Sequence, residues 1–104
     1  YILTGRQDMA RGETERWINM YFPHIFDDVI LTNSYTPNEI HKADICRALN
    51  IGLIIDDNKG ICDRCIENGV SALNFIGDDE GVYPWCEESE ISINGWETLS
   101  RKCI

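Results

Sequence analysis

The pattern of this chain predicts an α/β fold of the three-layer, Rossmann-like kind, in which a parallel sheet has helices on both faces. Two observations support this prediction. Segments with the length and character of strands occur at residues 1–4, at 26–32, which contain the apolar run 29–31, at 52–55 and at 70–76. Apolar residues at helical spacing follow at residues 9–22, 36–49, 58–68 and from 94 onward. The order β-α-β-α-β-α-β-α requires parallel strands joined by crossover helices, in one domain over residues 1–104.

The first two helices are expected to have clear ends. Pro23 ends the first because proline has no backbone N–H. In the second, Thr36 is expected to be the N-cap and Glu39 completes a capping box, while Asn50 is the expected stop. The inward stripe of the first helix is expected to hold Ala10, Trp17, Ile18, Tyr21 and Phe22. The shared face of the second carries Lys42, Ile45, Cys46 and Leu49.

The remaining segments are less uniform. Asn58 is the expected N-cap of the third helix and Gly69 its C′ residue, with Ile61, Cys62, Cys65 and Ile66 facing inward. Residues 77–81 are expected to form an acidic loop, and residues 83–92 show no pattern that assigns them. A last helix is expected to start at residues 94–97, with Trp96, Leu99 and Cys103 at helical spacing.

Composition excludes two classes of partner. The net charge of −9 disfavours binding to nucleic acid, which needs a basic patch. No apolar run approaches the ~20 residues of a membrane-spanning helix. We expect a protein that binds neither nucleic acid nor membrane.

The five cysteines are an odd number and contain a single Cys-x-x-Cys, at Cys62 and Cys65. A zinc ribbon needs a second such pair or well-spaced histidines, and a redox pair is expected at a helix start directly after a strand. On a helix, both cysteines share a face, so we expect buried, reduced thiols and a cytoplasmic protein.

The sequence around residues 52–58 organises the rest of the chain. The apolar run at residues 52–55 predicts a strand buried on both faces of a parallel sheet, and Asp56 and Asp57 follow it directly. Adjacent carboxylates raise one another's pKa, and a cation such as Mg²⁺ relieves this cost. The alternative is that the two acids only end the strand and cap the next helix.

The predicted topology brings further polar residues to the same place. The carboxyl ends of parallel strands lie at one edge of the sheet, where binding sites collect. Thr4 ends the first strand, Lys42 lies near the start of the second helix, and Asp56 and Asp57 end the third strand. A hydroxyl, a lysine and two metal-binding carboxylates suit a phosphoryl group. Each residue also has a purely structural interpretation, as a strand end or a surface side chain.

In this order the residues resemble the motifs of the haloacid dehalogenase-like (HAD) hydrolases. The segment Ile2-Leu3-Thr4-Gly5-Arg6 looks like the second motif of that family, and Lys42 looks like the third. The segment Gly52-Leu53-Ile54-Ile55-Asp56-Asp57 looks like the fourth. The branch most similar is the 5′(3′)-deoxyribonucleotidase-like one, to which residues 29–32 and 94–97 are also similar in order and spacing.

This resemblance implies a Mg²⁺-dependent phosphatase that uses an aspartyl-phosphate intermediate. It implies that Thr4 and Lys42 are catalytic, and that Thr4, Gly5, Arg6 and Lys42 bind the substrate, a small phosphorylated metabolite such as a nucleotide. It implies that Asp56 and Asp57 serve the metal, at least one of them directly.

The chain departs from the family at its first motif. That motif, Asp-x-Asp after a strand, carries the nucleophile, and no Asp-x-Asp occurs in the 104 residues. Its strand is also the central one, so the strands at residues 1–4 and 52–55 are expected to lose a shared neighbour. Three explanations are open: the chain is the C-terminal portion of a longer enzyme, another chain supplies the strand, or catalysis has been lost. We favour the first.

Two functions follow as hypotheses. One is a phosphatase whose nucleophile comes from outside this segment, the segment alone being inactive. The other is a non-catalytic binding or regulatory domain on the same scaffold. A response-regulator-like receiver fits less well, because in that fold the acid pair comes early and the lysine late, whereas here Lys42 precedes Asp56. An exposed sheet edge would favour self-association.

Overall fold

A computed structural model describes residues 1–78 and 80–103 as a small mixed α/β domain. Within those residues there are four α-helices, a short 3-10 helix and two small sheets. The chain divides into two compact units, Tyr1–Lys42 and Ala43–Ile104, and each is described by itself. Up to the fourth strand, the order of elements is the one that the sequence predicts.

The first unit is built on a parallel pair of strands, β1 (Ile2–Thr4) and β2 (Val29–Leu31), with Leu3 opposite Ile30. A short 3-10 helix (Asp8–Ala10) and helix α1 (Arg11–Tyr21) connect them. Parallel strands need such a crossover, which explains why a helix stands between them.

Helix α1 buries a narrower face than the sequence predicts. Thr14 and Ile18 are buried, whereas Trp17, Tyr21 and Phe22 are exposed, so the predicted inward stripe is wrong at three positions. These aromatic rings pack on one another, with the Trp17 centroid 5.2 Å from that of Tyr21 and 5.8 Å from that of Phe22. A sheet of two three-residue strands offers too little area in this unit to cover them.

The second helix starts later than the capping box predicts. Helix α2 spans Lys42–Ala48, six residues after Thr36. Thr36 instead holds a turn: its hydroxyl donates to the Asn33 carbonyl at 2.6 Å and accepts from the Asn38 amide at 3.2 Å. Asn33 and Tyr35 have positive φ, which a helix start does not require. Thr36 caps a turn here, since the same hydroxyl serves either purpose.

The end of α2 is the expected one. Asn50 has a φ of 57°, its amide donates to the Arg47 carbonyl, and the Ile51 amide donates to the Cys46 carbonyl. This pair of bonds is the Schellman motif, which Asn tolerates because it adopts the left-handed conformation. Ala43, Ile45 and Cys46 form the buried face of the helix.

The second unit contains a four-stranded mixed sheet. Strands β3 (Leu53–Asp56) and β4 (Ser71–Asp78) pair in parallel, with Ile54 opposite Ala72. On the other side of β4 lie β5 (Gly81–Val82), antiparallel to it, and β6 (Ser92–Asn94), parallel to it. Helices α3 (Lys59–Glu67) and α4 (Trp96–Lys102) complete the unit. The single parallel sheet of the prediction is thus two sheets, one of them mixed.

Strand β3 exists as predicted, but its burial differs. Ile54 is 6% exposed, whereas Leu53 is 40% and Ile55 42% exposed, so only one face is covered. In the part of the chain that the structure describes, β3 pairs with β4 alone and β1 with β2 alone. Each therefore has one neighbouring strand within the described residues, and the expectation that β3 is buried on both faces was wrong.

Helix α3 confirms the local signals. Asn58 is its N-cap, accepting from the Ile61 amide at 3.1 Å, and Gly69 follows its end with a φ of 83°. Cys62 and Cys65 form no disulfide and are fully buried, as expected, whereas Ile66 is exposed.

The C-terminal part holds two strands that the sequence did not indicate, β5 and β6. Strand β6 begins at Ser92, the last residue of the segment without a clear pattern, and ends at Asn94, where the last helix was expected to start. Strand β4 extends through Gly77 and Asp78 into the predicted acidic loop. Of that loop, Asp79 lies outside the described residues. Phe75, Ile93 and Leu99 form a core cluster. Trp96 and Cys103 are exposed although they share helical spacing with Leu99.

Candidate functional site

The two acids of the predicted metal site lie where β3 turns into α3. Asp56 is the last residue of β3; its Oδ1 accepts from the Asn58 amide at 2.9 Å. Its carbonyl accepts from the side-chain amide of Asn74 at 3.0 Å, and Asn74 is only 1% exposed. The N-cap of α3 is Asn58, so the alternative that Asp56 and Asp57 cap this helix is wrong. Asp56 does stabilise the turn before the helix.

Asp57 is exposed and is held by a neighbouring loop. The indole Nε1–H of Trp85 donates to Asp57 Oδ2 at 3.1 Å, and the Cys86 thiol donates to the Asp57 carbonyl at 3.5 Å. The side chain and the backbone of Asp57 therefore contact the same short segment.

A cavity of about 320 Å³ lies beside Asp57. Its lining residues are Asp57, Asn58, Lys59, Asn74, Trp85, Cys86 and Glu87. Such a volume lies in the range of small-molecule sites. The lining combines carboxylate and amide groups with one aromatic ring.

The charges around this cavity favour a cation. Asp57 and Glu87 supply two carboxylates, and Lys59 is the one basic residue among the lining residues. The Lys59 ammonium lies 2.7 Å from Asp63, and the hydrogen bond and charge of that carboxylate raise the pKa of Lys59. Since Lys59 already has an acidic partner, a phosphate would meet uncompensated negative charge unless a cation accompanied it.

The oxygen atoms beside the cavity are ligands of the kind that Mg²⁺ uses. Mg²⁺ prefers oxygen ligands and is held in proteins by one or two carboxylates, with water or substrate phosphate completing its shell. Of the two predicted metal-binding acids, Asp57 lines the cavity and Asp56 does not. Among residues 1–78 and 80–103 there is no cluster of three or more His, Cys, Asp or Glu arranged to hold a metal. The described residues therefore do not form a closed structural metal site.

The candidate phosphate-binding residues of the first unit cluster after β1. Thr4 ends that strand, and its carbonyl accepts from the Thr32 amide at 2.8 Å. Gly5 passes so close to Ser34 that a Cβ there would lie 2.8 Å from the Ser34 hydroxyl oxygen. A side chain at this position would require Ser34 to shift.

Arg6 and Thr4 line a second cavity, of about 380 Å³, within the first unit. The Arg6 guanidinium donates to the Thr14 hydroxyl at 3.2 Å, which directs it toward α1. Ile2, Glu13, Thr14, Trp17 and Ile18 complete the lining. The structure therefore brings Thr4 and Arg6 to one cavity, with Gly5 between them in the chain.

Lys42 is the first residue of α2 and is partly buried. The sequence predicted a lysine near the start of this helix, and Lys42 is indeed at its start. The helix itself begins later than predicted. Lys42 falls in the first unit with Thr4, Gly5 and Arg6, whereas Asp56 and Asp57 fall in the second. The prediction that all of them act on one phosphoryl group stays a prediction.

Five residues of the Asp57 cavity were not foreseen: Lys59, Asn74, Trp85, Cys86 and Glu87. Three of them lie in the segment at residues 83–92 that has no helical or strand periodicity, so no pattern signalled them. Asn74 carried a signal that could have been used, since a polar residue inside an apolar strand is unusual unless it is hydrogen-bonded.

No protein-family model, curated protein or solved structure matches this chain. Among the described residues, no helix is both long enough and apolar enough to cross a membrane. The functional assignment therefore rests on the residues and their geometry.

Proposed function

We propose that this chain belongs to a Mg²⁺-dependent phosphatase of the HAD-like type, acting on a small phosphorylated metabolite such as a nucleotide. The nucleophilic aspartate would be supplied from outside these 104 residues. The observation that carries the proposal is the placement of Asp56 and Asp57 at the carboxyl end of a parallel strand, beside a cavity lined by oxygen donors. This is where ligands bind in open α/β sheets.

The second unit would hold the metal. Asp57, whose side chain is exposed at the cavity, would bind the metal directly. Asp56 would stabilise the turn that carries Asp57. When bound, Mg²⁺ would offset the charge of a phosphoryl group. The lining supports this role, because its carboxylates outnumber its one lysine. The cavity therefore attracts a cation, and an anion can bind only when that cation is present.

The first unit would recognise phosphate. Arg6 supplies a planar pair of donors, Thr4 a hydroxyl and Gly5 a backbone amide with no side chain of its own. Lys42 would neutralise charge on the phosphoryl group. The finer feature of the fold, helices on both faces in three layers, and a cytoplasmic location, which the buried thiols favour, are part of the same proposal.

Metal binding tests the second unit directly. In a calorimetric titration of the 104-residue chain with MgCl₂, we expect a single weak site that Asp57→Asn removes. Asp27→Asn is a matched control, because it also replaces one exposed acid by its amide, in the other unit. Equal binding by the Asp57 variant and the unmodified chain would show that the metal site is misassigned.

Activity requires the nucleophile. The gene sequence upstream of the codon for Tyr1 should encode a strand followed by Asp-x-Asp, and a protein that includes it should release phosphate only with Mg²⁺. Lys42→Ala and Asp57→Asn are each expected to reduce kcat/KM by about 10² or more, the usual effect of losing a charge-stabilising group. Full activity in both variants would refute the site assignment.

The second candidate function is a non-catalytic binding or regulatory domain. The absence of any Asp-x-Asp in the 104 residues favours it. This alternative predicts Mg²⁺ or phosphate binding without turnover in any protein that includes the chain, and an unrelated domain upstream.

A further inference from the structure

We infer that Trp85 is a positioning residue for Asp57. Its indole N–H orients the carboxylate for Mg²⁺, so that Mg²⁺ binding changes the environment of the Trp85 indole. This inference rests on the proposed function, and it concerns a residue that the motif resemblance does not include. It is carried by a chain of contacts from the core of the second unit to Asp57.

The first contact is direct. Trp85 Nε1 lies 3.1 Å from Asp57 Oδ2, a hydrogen bond from a neutral donor to a charged acceptor. An exposed aspartate otherwise samples several rotamers. With Oδ2 held by the indole, Oδ1 is the oxygen left for a cation. The hydrogen bond therefore selects the orientation in which the carboxylate can act as a single-oxygen ligand.

The indole is itself held in place. The Tyr83 and Trp85 rings are stacked, with centroids 4.8 Å apart and planes 8° apart. Tyr83 in turn contacts Phe75, whose ring centroid is 6.4 Å away and which is 8% exposed in the core cluster. Trp85 is 68% exposed, so this stacking, rather than burial, fixes its position.

The backbone around Trp85 is also fixed. The Tyr83 amide donates to the Ile76 carbonyl at 2.6 Å, and the Cys86 amide donates to the Tyr83 carbonyl at 3.0 Å. The Cys86 thiol reaches the Asp57 carbonyl. Trp85 is thus presented by a turn that is tied to β4 and to the residue it orients. Residues that hydrogen-bond metal-ligating side chains typically change metal affinity 10- to 100-fold when they are lost.

The first experiment uses the three tryptophans as internal references. In a ¹H–¹⁵N spectrum of the unmodified chain, the indole signals of Trp17, Trp85 and Trp96 are followed while MgCl₂ alone is added. We expect the Trp85 signal to shift with the midpoint that calorimetry gives, and the other two to stay. If Mg²⁺ binds and the Trp85 signal does not move, the coupling is refuted.

The second experiment removes only the donor. Trp85→Phe keeps a ring that can stack on Tyr83 but lacks the N–H, and we expect its Kd for Mg²⁺ to rise about tenfold. Trp96→Phe is the matched control, since Trp96 is similarly exposed (71%) and packs on Phe75. Its Kd should be unchanged. Urea unfolding of both variants separates a loss of positioning from a loss of structure.

The two proposals fail in different ways. If the unmodified chain does not bind Mg²⁺, both the metal site and the positioning role are wrong. If the unmodified chain binds Mg²⁺ and Asp57→Asn abolishes binding, but Trp85→Phe binds as tightly as the unmodified chain, only the positioning role is wrong.

Discussion

At the scale of single residues, Asn58 determines how the acidic turn enters α3. Its side chain accepts from the Ile61 amide, which satisfies one of the unpaired donors at the helix start. We expect Asn58→Ala to lower the free energy of unfolding by about 1 kcal/mol. Urea denaturation followed by circular dichroism measures this loss.

Asn19→Ala is the control for that variant. Asn19 is exposed in the interior of α1, where alanine has the higher helix propensity. It should therefore be neutral or slightly stabilising. Equal losses in the two variants would show that the cap contributes nothing specific.

Cys62 gives a second residue-scale prediction, on pH. Burial, with a smaller contribution from the Asp56 carboxylate, raises the pKa of the Cys62 thiol from 9.0 to about 11. The unfolded chain loses this proton at a lower pH than the folded one, so the stabilisation is complete below pH 9 and is lost as pH rises toward 11. Urea midpoints at several pH values should fall over this window.

The control is again a matched variant. Other groups titrate above pH 9, so the test is the difference between two curves. Cys62→Ala should fall less steeply with pH than the unmodified chain, whereas the exposed Cys103→Ala should follow the unmodified chain. Parallel curves for all three proteins would contradict the assignment to Cys62.

Residues whose role is local were the predictable ones. Asn50, Asn58 and Gly69 end or cap helices, and each depends only on the few residues beside it. Thr36 failed because its hydroxyl can serve a turn as well as a helix. Trp85 could not be foreseen, because its partner Asp57 is 28 residues away and no periodicity links them.

At the scale of elements, strand β3 offers a test with two adjacent isoleucines. Ile54 is 6% exposed and Ile55 42% exposed. We expect Ile54→Ala to cost about 2–4 kcal/mol, because it removes buried methyl groups and leaves a cavity. Ile55→Ala should cost less than about 1.5 kcal/mol, since its side chain keeps contact with water in the folded state.

Thermal and urea unfolding of the two variants measures the difference. Similar losses at both positions would mean that β3 is covered on both faces in solution, as the apolar run at residues 52–55 first suggested. The existence of this strand was readable from sequence. Its one-sided burial was not, because burial depends on neighbours that a local pattern does not specify.

Strand β6, unlike β3, could not be recognised from its sequence. Its three residues, Ser92–Asn94, pair with β4 in parallel and bring Ile93 into the core cluster. A three-residue strand with one buried side chain is too short for alternation to be recognised. It forms because β4, already placed by β3 and α3, offers an unpaired edge.

At the scale of the whole molecule, strand order was predicted better than sheet continuity. The alternation of strands and helices is correct up to β4, since each element follows from its own periodicity. The sheet is not continuous within the described residues: β1 pairs with β2 in one sheet, and β3 and β4 belong to another. The candidate site shows the same contrast. Thr4 and Asp56 were identified because they end strands, whereas Trp85 and Glu87 belong to a segment without periodicity.

The open edge of β3 leads to a prediction about association. In the described part of the chain, β3 has one partner strand, and Leu53 and Ile55 are 40% and 42% exposed beside its free edge. Unprotected edge strands pair with other chains. The net charge of −9 opposes this at low ionic strength, because like-charged molecules repel. At 0.15 M salt the screening length shortens to about 8 Å, and the repulsion weakens.

We therefore expect sedimentation velocity to show a monomer at low salt and a concentration-dependent heavier species as NaCl is raised. Ile55→Lys should suppress that species, since an edge lysine disfavours strand pairing. Met9→Lys, which makes the same change of charge at an exposed residue outside any strand, should leave much more of it. Equal suppression by the two variants would mean that charge alone governs association, and that the β3 edge is not where the chains meet.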